Sequence, residues 1–198
     1  MPAAAASDGA VLLGGESRRM GSDKARLRVG GVACATRVAR ALGEVCGTVW
    51  LVGGARPEDA PGRPVPDPPG PRCALRGLVA ALEASQAEHV LVVATDLPLV
   101  TPRFLRALAS AQPADALVPR DAAGPHPLCA RYRRAAALGP ARARLAGQDL
   151  SLQGLLAALD TRWLEGDPLR DADPDGTALL NVNTPDDLRR VEALLAGR

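Results

Sequence analysis

Residues 89 to 111, HVLVVATDLPLVTPRFLRALASA, set an apolar run directly before a carboxylate and a helix start. From His89 to Ala94 no polar residue recurs at every second place, so the run does not suit a strand with one wet face. It suits a strand buried on both faces, the condition of parallel strands covered by helices. Thr101 can cap a helix and Pro102 presets the first helical φ, so TPRFLRALASA reads as the helix that follows. Strand, carboxylate at the turn, then helix is part of a βαβ unit.

Two earlier runs have the same character, GAVLLG at 9–14 and TVWLVG at 48–53. Between the strands, ATRVARALGEV places Val38, Ala41, Leu42 and Val45 on one helical face. ALRGLVAALEAS does the same with Leu75, Leu78, Val79 and Leu82. Strands alternating with helices predict an α/β fold of stacked layers. Further on, DALVP, PLCARYR and TRWLE read as strands, SLQGLLAALD as a helix, and TPDDLRRVEALLA as a helix with a second Thr-Pro start. This half is less regular, which predicts mixed strand directions. The proline-rich segment RPEDAPGRPVPDPPGPR, 56–72, reads as a long structured loop beside a site and not as a linker, because the residues before it are too few for an independent core.

The chain has 198 residues, 47% hydrophobic, and a formal charge of +2. That length suits one domain spanning 1–198. A near-balanced charge argues against nucleic acid as a partner. No run approaches the roughly 18 apolar residues of a membrane span, and the start lacks the pattern of a secretory signal, so a cytoplasmic location without membrane association is expected. Cys34, Cys46, Cys73 and Cys129 show no metal-ligand spacing and read as buried free thiols.

Isoleucine is absent, and Lys24 is the one lysine among 24 basic residues. The two asparagines, Asn181 and Asn183, both fall in NVNTPDDL. Where arginine and aspartate have been used almost everywhere else, these three exceptions mark positions that need their own chemistry.

In open α/β sheets, ligands bind beyond the carboxyl ends of the strands. There the sequence places Gly14 and Gly15 followed by Arg18, Arg19, Gly21, Asp23 and Lys24, then Asp96, and a loop with Asn181 and Asn183. Glycines let backbone N–H groups approach a phosphate, cations neutralise it, and Asp96 can hold a hard cation such as Mg2+. These are parts for handling a nucleoside triphosphate. The spacing fits neither the Walker A loop nor the GxGxxG of dinucleotide folds.

LLGGESRRMGSDKARL, VVATDLPLVTP, HPLCARY and NVNTPDDL resemble, in that order and over nearly the whole chain, the motifs of the molybdenum cofactor guanylyltransferases, which are MobA-like nucleotidyltransferases. The resemblance implies a three-layer Rossmann-like α/β fold with a mostly parallel, mixed sheet. It implies transfer of GMP from GTP to the phosphate of Mo-molybdopterin, with Mg2+ and release of pyrophosphate. It sets Leu12, Leu13 and Gly14 against the nucleotide, Lys24 on the phosphates, Asp67 near the guanosine, Asp96 on the metal, and Asn181 and Asn183 near the reacting phosphates and pterin; the residues themselves add Gly15 to the nucleotide contacts and Arg19 to the phosphate cations. Molybdoenzyme apo-proteins or their chaperones would follow as partners. Two places depart from the family: Gly53 stands where some members have an asparagine, and CALRGL at 73–78 replaces a GPLAGI-like turn.

The motifs also have ordinary readings. NTPDDL is a competent helix cap, which accounts for Thr184 and Asp187 but not for two asparagines. His126 either contacts substrate or positions the turn before PLCARY. It is not needed as a base, because a phosphate monoester with a second pKa of about 6 is already ionised at neutral pH. Arg131, Arg133, Arg134, Arg142 and Arg144 suit an anionic acceptor and a solvated face equally. The alternatives are cytidylyl transfer to molybdopterin, transfer to another phosphorylated acceptor, and a non-catalytic partner that binds nucleotide and delivers pterin.

Overall fold

The computed structural model describes residues 7–14, 27–66, 69–70, 73–110 and 113–197. Among the described residues the first elements are β1 (Ser7–Leu12), a hairpin of β2 (Arg28–Val29) and β3 (Val32–Ala33), α1 (Cys34–Gly43), β4 (Val49–Val52) and β5 (Arg63–Val65). Next come α2 (Ala74–Ala84), β6 (His89–Ala94), α3 (Pro102–Ser110), β7 (Ala116–Asp121), β8 (Gly124–Pro125) and β9 (Cys129–Arg133). The last elements are α4 (Arg134–Ala146), α5 (Leu152–Ala157), β10 (Thr161–Leu164), α6 (Gly166–Ala172) and α7 (Pro185–Ala196).

The three apolar runs lie side by side. β1 pairs in parallel with β4 and β6, setting Leu12 opposite both Val52 and Ala94. The main sheet runs β10-β7-β9-β6-β1-β4-β5, with β8 paired to β7. β9 alone on this path runs against its neighbours. It follows β7 through the short β8 turn, and so short a connection can only join antiparallel strands.

Alternation along β1 divides the core. Val11 and Leu13 pack with α1, α3 and Leu169 of α6, while Ala10 and Leu12 pack with α2, α4 and α5. The result is the expected three-layer α/β fold with a mixed, mostly parallel sheet. A third cluster, Val29, Cys34, Leu99, Val182 and Val191, binds α7 and the β2–β3 hairpin to the body.

At the amino edge of the sheet Asp8 accepts hydrogen bonds from the Trp50 indole at 3.1 Å, the Ser85 hydroxyl at 2.6 Å and the Thr48 amide at 3.2 Å. One buried carboxylate thereby joins β1, β4 and the end of α2, far from the carboxyl edge.

The structure adds elements to the sequence reading. The proline-rich segment is not loop throughout, because β5 within it pairs in parallel with β4. Pro64 is tolerated there because β5 is an edge strand. α4 follows β9 without a break and carries Pro140 inside it. Its alanine, glycine and arginine content gives little apolar periodicity, so no helix is visible in the sequence. Of the cysteines, Cys34 and Cys129 are buried as expected, whereas Cys46 and Cys73 are half-buried. All four are free thiols.

Candidate functional site

The carboxyl ends of β1, β4 and β5 meet around a cavity of about 300 Å3 lined by Leu13, Gly53, Gly54, Arg56, Val65 and Pro66, among others. Backbone bonds hold this corner together: Leu13 N–H donates to Val52 O at 2.9 Å, Gly53 N–H to Val65 O at 3.0 Å, and Thr95 N–H to Leu12 O at 3.3 Å. Gly54 has φ +58°, and a Cβ there would lie 2.7 Å from Leu13 O. Only glycine lets β4's exit pass so close to β1's exit. Gly14 is exposed, and a Cβ on it would meet nothing within 4 Å, so the backbone here faces open space.

Asp96 stands two residues beyond β6, half-buried. Its backbone carbonyl accepts a hydrogen bond from Val182 N–H at 2.8 Å. Val182 is 1% exposed and belongs to the cluster under α7, so an apolar anchor sits between Asn181 and Asn183 and fixes both beside Asp96. Downstream, Thr184 and Asp187 form a capping box, with Asp187 Oδ2 accepting from the amides of Thr184 at 2.8 Å and Asn183 at 3.0 Å. These bonds hold Asp187 below the usual carboxylate range, the Asn183 amide contributing most. The cap uses the backbone of Asn183 and leaves the choice of its amide side chain to another cause.

Burial, opposed in part by Arg37 and reinforced by the Asp96 charge, pushes the Cys34 thiol up to about 12. Burial first and Asp96 second also push Cys129 up. Both thiols thus feel the charge of Asp96. Among the described residues no three His, Cys, Asp or Glu side chains gather as a metal cluster. One or two carboxylates together with substrate phosphates make up the kind of site that holds Mg2+.

His126 lies on the turn from β8 into β9, at this same edge. Its Nε2 is 3.0 Å from Asp121 Oδ1, its amide donates to Pro119 O at 2.9 Å, and its carbonyl accepts from Cys129 N–H at 3.0 Å. Those contacts hold its backbone in the turn. Leu128 O in turn accepts from Ala94 N–H at 2.7 Å, joining the turn to the end of β6.

The arginines offered above for an anionic acceptor do not gather here. β9 runs antiparallel, so Arg133 is in register with His89 at the amino edge. Arg133 pairs with Asp115, Arg134 donates to Leu82 O at 2.9 Å, Arg142 to Glu83 at 2.7 Å, and Arg144 pairs with Asp149. Arg131 is buried and donates to Ala109 O at 3.2 Å. Arg131 thus ties β9 to α3, and Arg134 and Arg142 tie α4 to α2.

Gly15, Arg19, Lys24 and Asp67 lie outside the described residues. Their neighbours are placed: Gly14 at the carboxyl edge precedes Gly15, and Pro66 in the cavity wall precedes Asp67. The sequence reading missed Gly54, although a second Gly-Gly pair at a strand end, repeating Gly14-Gly15, was a usable signal. It also missed Val182, whose place between two asparagines marks it as an anchor.

Residues 9–163 match the family model of the MobA-like NTP transferase domain. A protein of Chloroflexus aggregans named "Probable molybdenum cofactor guanylyltransferase" is 38% identical, with 98% of each chain covered. One of the same name from Synechococcus elongatus is 35% identical over 92% of this chain and 96% of its own. Among solved structures, molybdopterin-guanine dinucleotide biosynthesis protein A of Archaeoglobus fulgidus superposes with a TM-score of 0.81 at 25% identity, covering 96% of this chain and 100% of that one.

Proposed function

Since this chain belongs to the MobA-like NTP transferase family, we propose that it is a molybdenum cofactor guanylyltransferase. It joins GMP from GTP to the phosphate of Mo-molybdopterin, releases pyrophosphate, and works as one domain over residues 1–198 in the cytoplasm. Among the described residues no helix is long and apolar enough to cross a membrane. The observation that carries the reading is the meeting, at one sheet edge, of the cavity beside Leu13 and the Asp96–Val182 bond that brings the asparagine loop to Asp96.

In this reading Leu12, Leu13, Gly14 and Gly15 seat the nucleotide, and Asp67, next after Pro66 in the cavity wall, accepts hydrogen bonds from the guanosine. Displacement at the α-phosphorus builds negative charge on the equatorial oxygens and the departing pyrophosphate. Lys24, Arg19 and the backbone amides after Gly14 meet that charge where it develops. Asp96 would hold Mg2+, whose chemistry is to shield phosphate charge. Asn181 and Asn183 orient the acceptor. No side chain need remove a proton, because the acceptor is a phosphate monoester with a second pKa of about 6.

The test incubates the protein with each of the four nucleoside triphosphates, Mg2+ and molybdopterin, and measures pyrophosphate. GTP alone should support rapid release. CTP or ATP turning over at least as well would overturn the guanylyl assignment. Pyrophosphate from none of the four would favour a binding and delivery role toward molybdoenzyme apo-proteins or their chaperones.

A further inference from the structure

Arg76 is the third residue of α2 and only 8% exposed. A cation in the first turn opposes the helix dipole, and burying a guanidinium has a desolvation cost, so local physics favours alanine at this place. Its Nη1 donates to the carbonyl of Gly70 at 2.6 Å. Gly70 has φ +115°, and a Cβ on it would meet nothing within 4 Å. Backbone conformation, not space, selects glycine there. The bond therefore closes a turn that only glycine makes without strain.

That turn follows, four residues beyond Pro66, the stretch of chain that lines the candidate nucleotide site. The chain lines the cavity as far as Pro66, passes Gly70, and re-enters the fold at Cys73, the cap position of α2. The residue after Arg76 is Gly77, and a Cβ on it would touch the Leu12 side chain at 3.5 Å. The first turn of α2 is thus packed on the end of β1, and Arg76 fastens the proline-rich segment to that fixed point.

We infer that Arg76 is a positioning residue that holds the return of the proline-rich segment, through Gly70, against the end of β1 and thereby sets the affinity of the site for the nucleoside. It touches backbone and acts on the nucleotide through the loop it holds. The inference rests on the nucleotidyltransferase reading above.

Calorimetric titration of each of the four nucleoside triphosphates with Mg2+ into the full chain tests it, with thermal melts alongside. Removing a charged donor from a preorganised loop should weaken GTP binding about tenfold in Arg76→Ala, the loss appearing in KM for GTP more than in kcat. Arg76→Lys, which keeps the charge and shortens the reach, should fall between that variant and wild type, and it decides the matter if the alanine variant does not fold. A lower melting temperature with unchanged Kd for GTP in a folded variant would make Arg76 structural only and overturn the inference, leaving the nucleotidyltransferase reading in place. Wild-type protein that binds none of the four nucleotides would overturn both.

Discussion

The backbone carbonyl of Asp96 accepts a hydrogen bond from the amide of Val182 at 2.8 Å. One carbonyl thus ties the loop after β6 to the loop before α7, two segments far apart in sequence. The bond uses the backbone of Asp96 and not its carboxylate, which separates the two groups by atom. Asp96→Asn keeps the backbone bond and the side-chain size while removing the charge. It should lower pyrophosphate release at least about 100-fold with an unchanged melting temperature, a loss of the order expected when a group that stabilises developing charge is removed. Wild-type turnover of that variant at saturating Mg2+ would take Asp96 out of the mechanism.

The same loop is held from its other side by the Thr184–Asp187 capping box. Thr184→Ala should cost about 1 kcal/mol of stability. Because Asp187 also accepts the Asn183 amide, the substitution should raise KM for the acceptor as well. The folded pKa of Asp187 is depressed, so its contribution to stability is complete above the ordinary value of 3.8 and is lost as pH falls through the lower folded value. Denaturant melts of wild type and Asp187→Asn should therefore differ at pH 7 and converge below that ordinary value. A gap that stayed constant into strong acid would sink this account of the cap.

Gly54 tests the geometry of the cavity. Alanine there would combine a φ of +58° with a Cβ 2.7 Å from Leu13 O. Strain of this kind is worth about 1–3 kcal/mol. Relief must come by moving either Leu13 or the exit of β4, both of which shape the cavity. Gly54→Ala should therefore lose both stability and GTP affinity, whereas Gly14→Ala, which meets no neighbour within 4 Å, should keep its stability. Equal melting temperatures for Gly54→Ala and wild type would show that β4 can leave the sheet by another path.

Much of this was legible in the chain because burial on both faces leaves an unmistakable record. The runs that became β1, β4 and β6 lack alternation, and the residues just beyond them, Leu13-Gly14, Gly53-Gly54 and Asp96, are where the corner of the site lies. Thr101 and Thr184 named their helices through chemistry that works locally, each hydroxyl accepting an amide three residues on. What failed depends on contacts distant in sequence. β5 exists because β4 offers it an open edge, and nothing in Arg63-Pro64-Val65 announces that. The arginines of PLCARYR suited an anionic acceptor and a solvated face equally until the direction of β9 set Arg133 beside His89 at the amino edge. Asp8 is a buried acceptor whose donors Thr48, Trp50 and Ser85 lie 40, 42 and 77 residues away, so nothing beside it in the chain announces its role.

Lys24 lies outside the described residues, and the case for it comes from composition joined to position. It is the one lysine in a chain of 24 basic residues, so arginine has been accepted wherever a cation as such suffices. It falls in the segment that leaves Gly14 at the open carboxyl edge and returns at Leu27, whose carbonyl accepts the Cys34 amide at 2.8 Å. A compact ammonium on a flexible stem can enter a crowded phosphate site where a planar guanidinium would push the phosphate aside. Lys24→Arg keeps the charge and changes the shape. Since a displacement of an ångström at a reacting group can cost on the order of 100-fold in rate, kcat should fall by about that factor while the melting temperature stays where it is. If the variant turns over within about threefold of wild type, on the same substrates and at the same Mg2+ concentration, then the displacement on which that rate loss depends does not occur. Lysine would then be a chance survivor and no constraint on the chemistry.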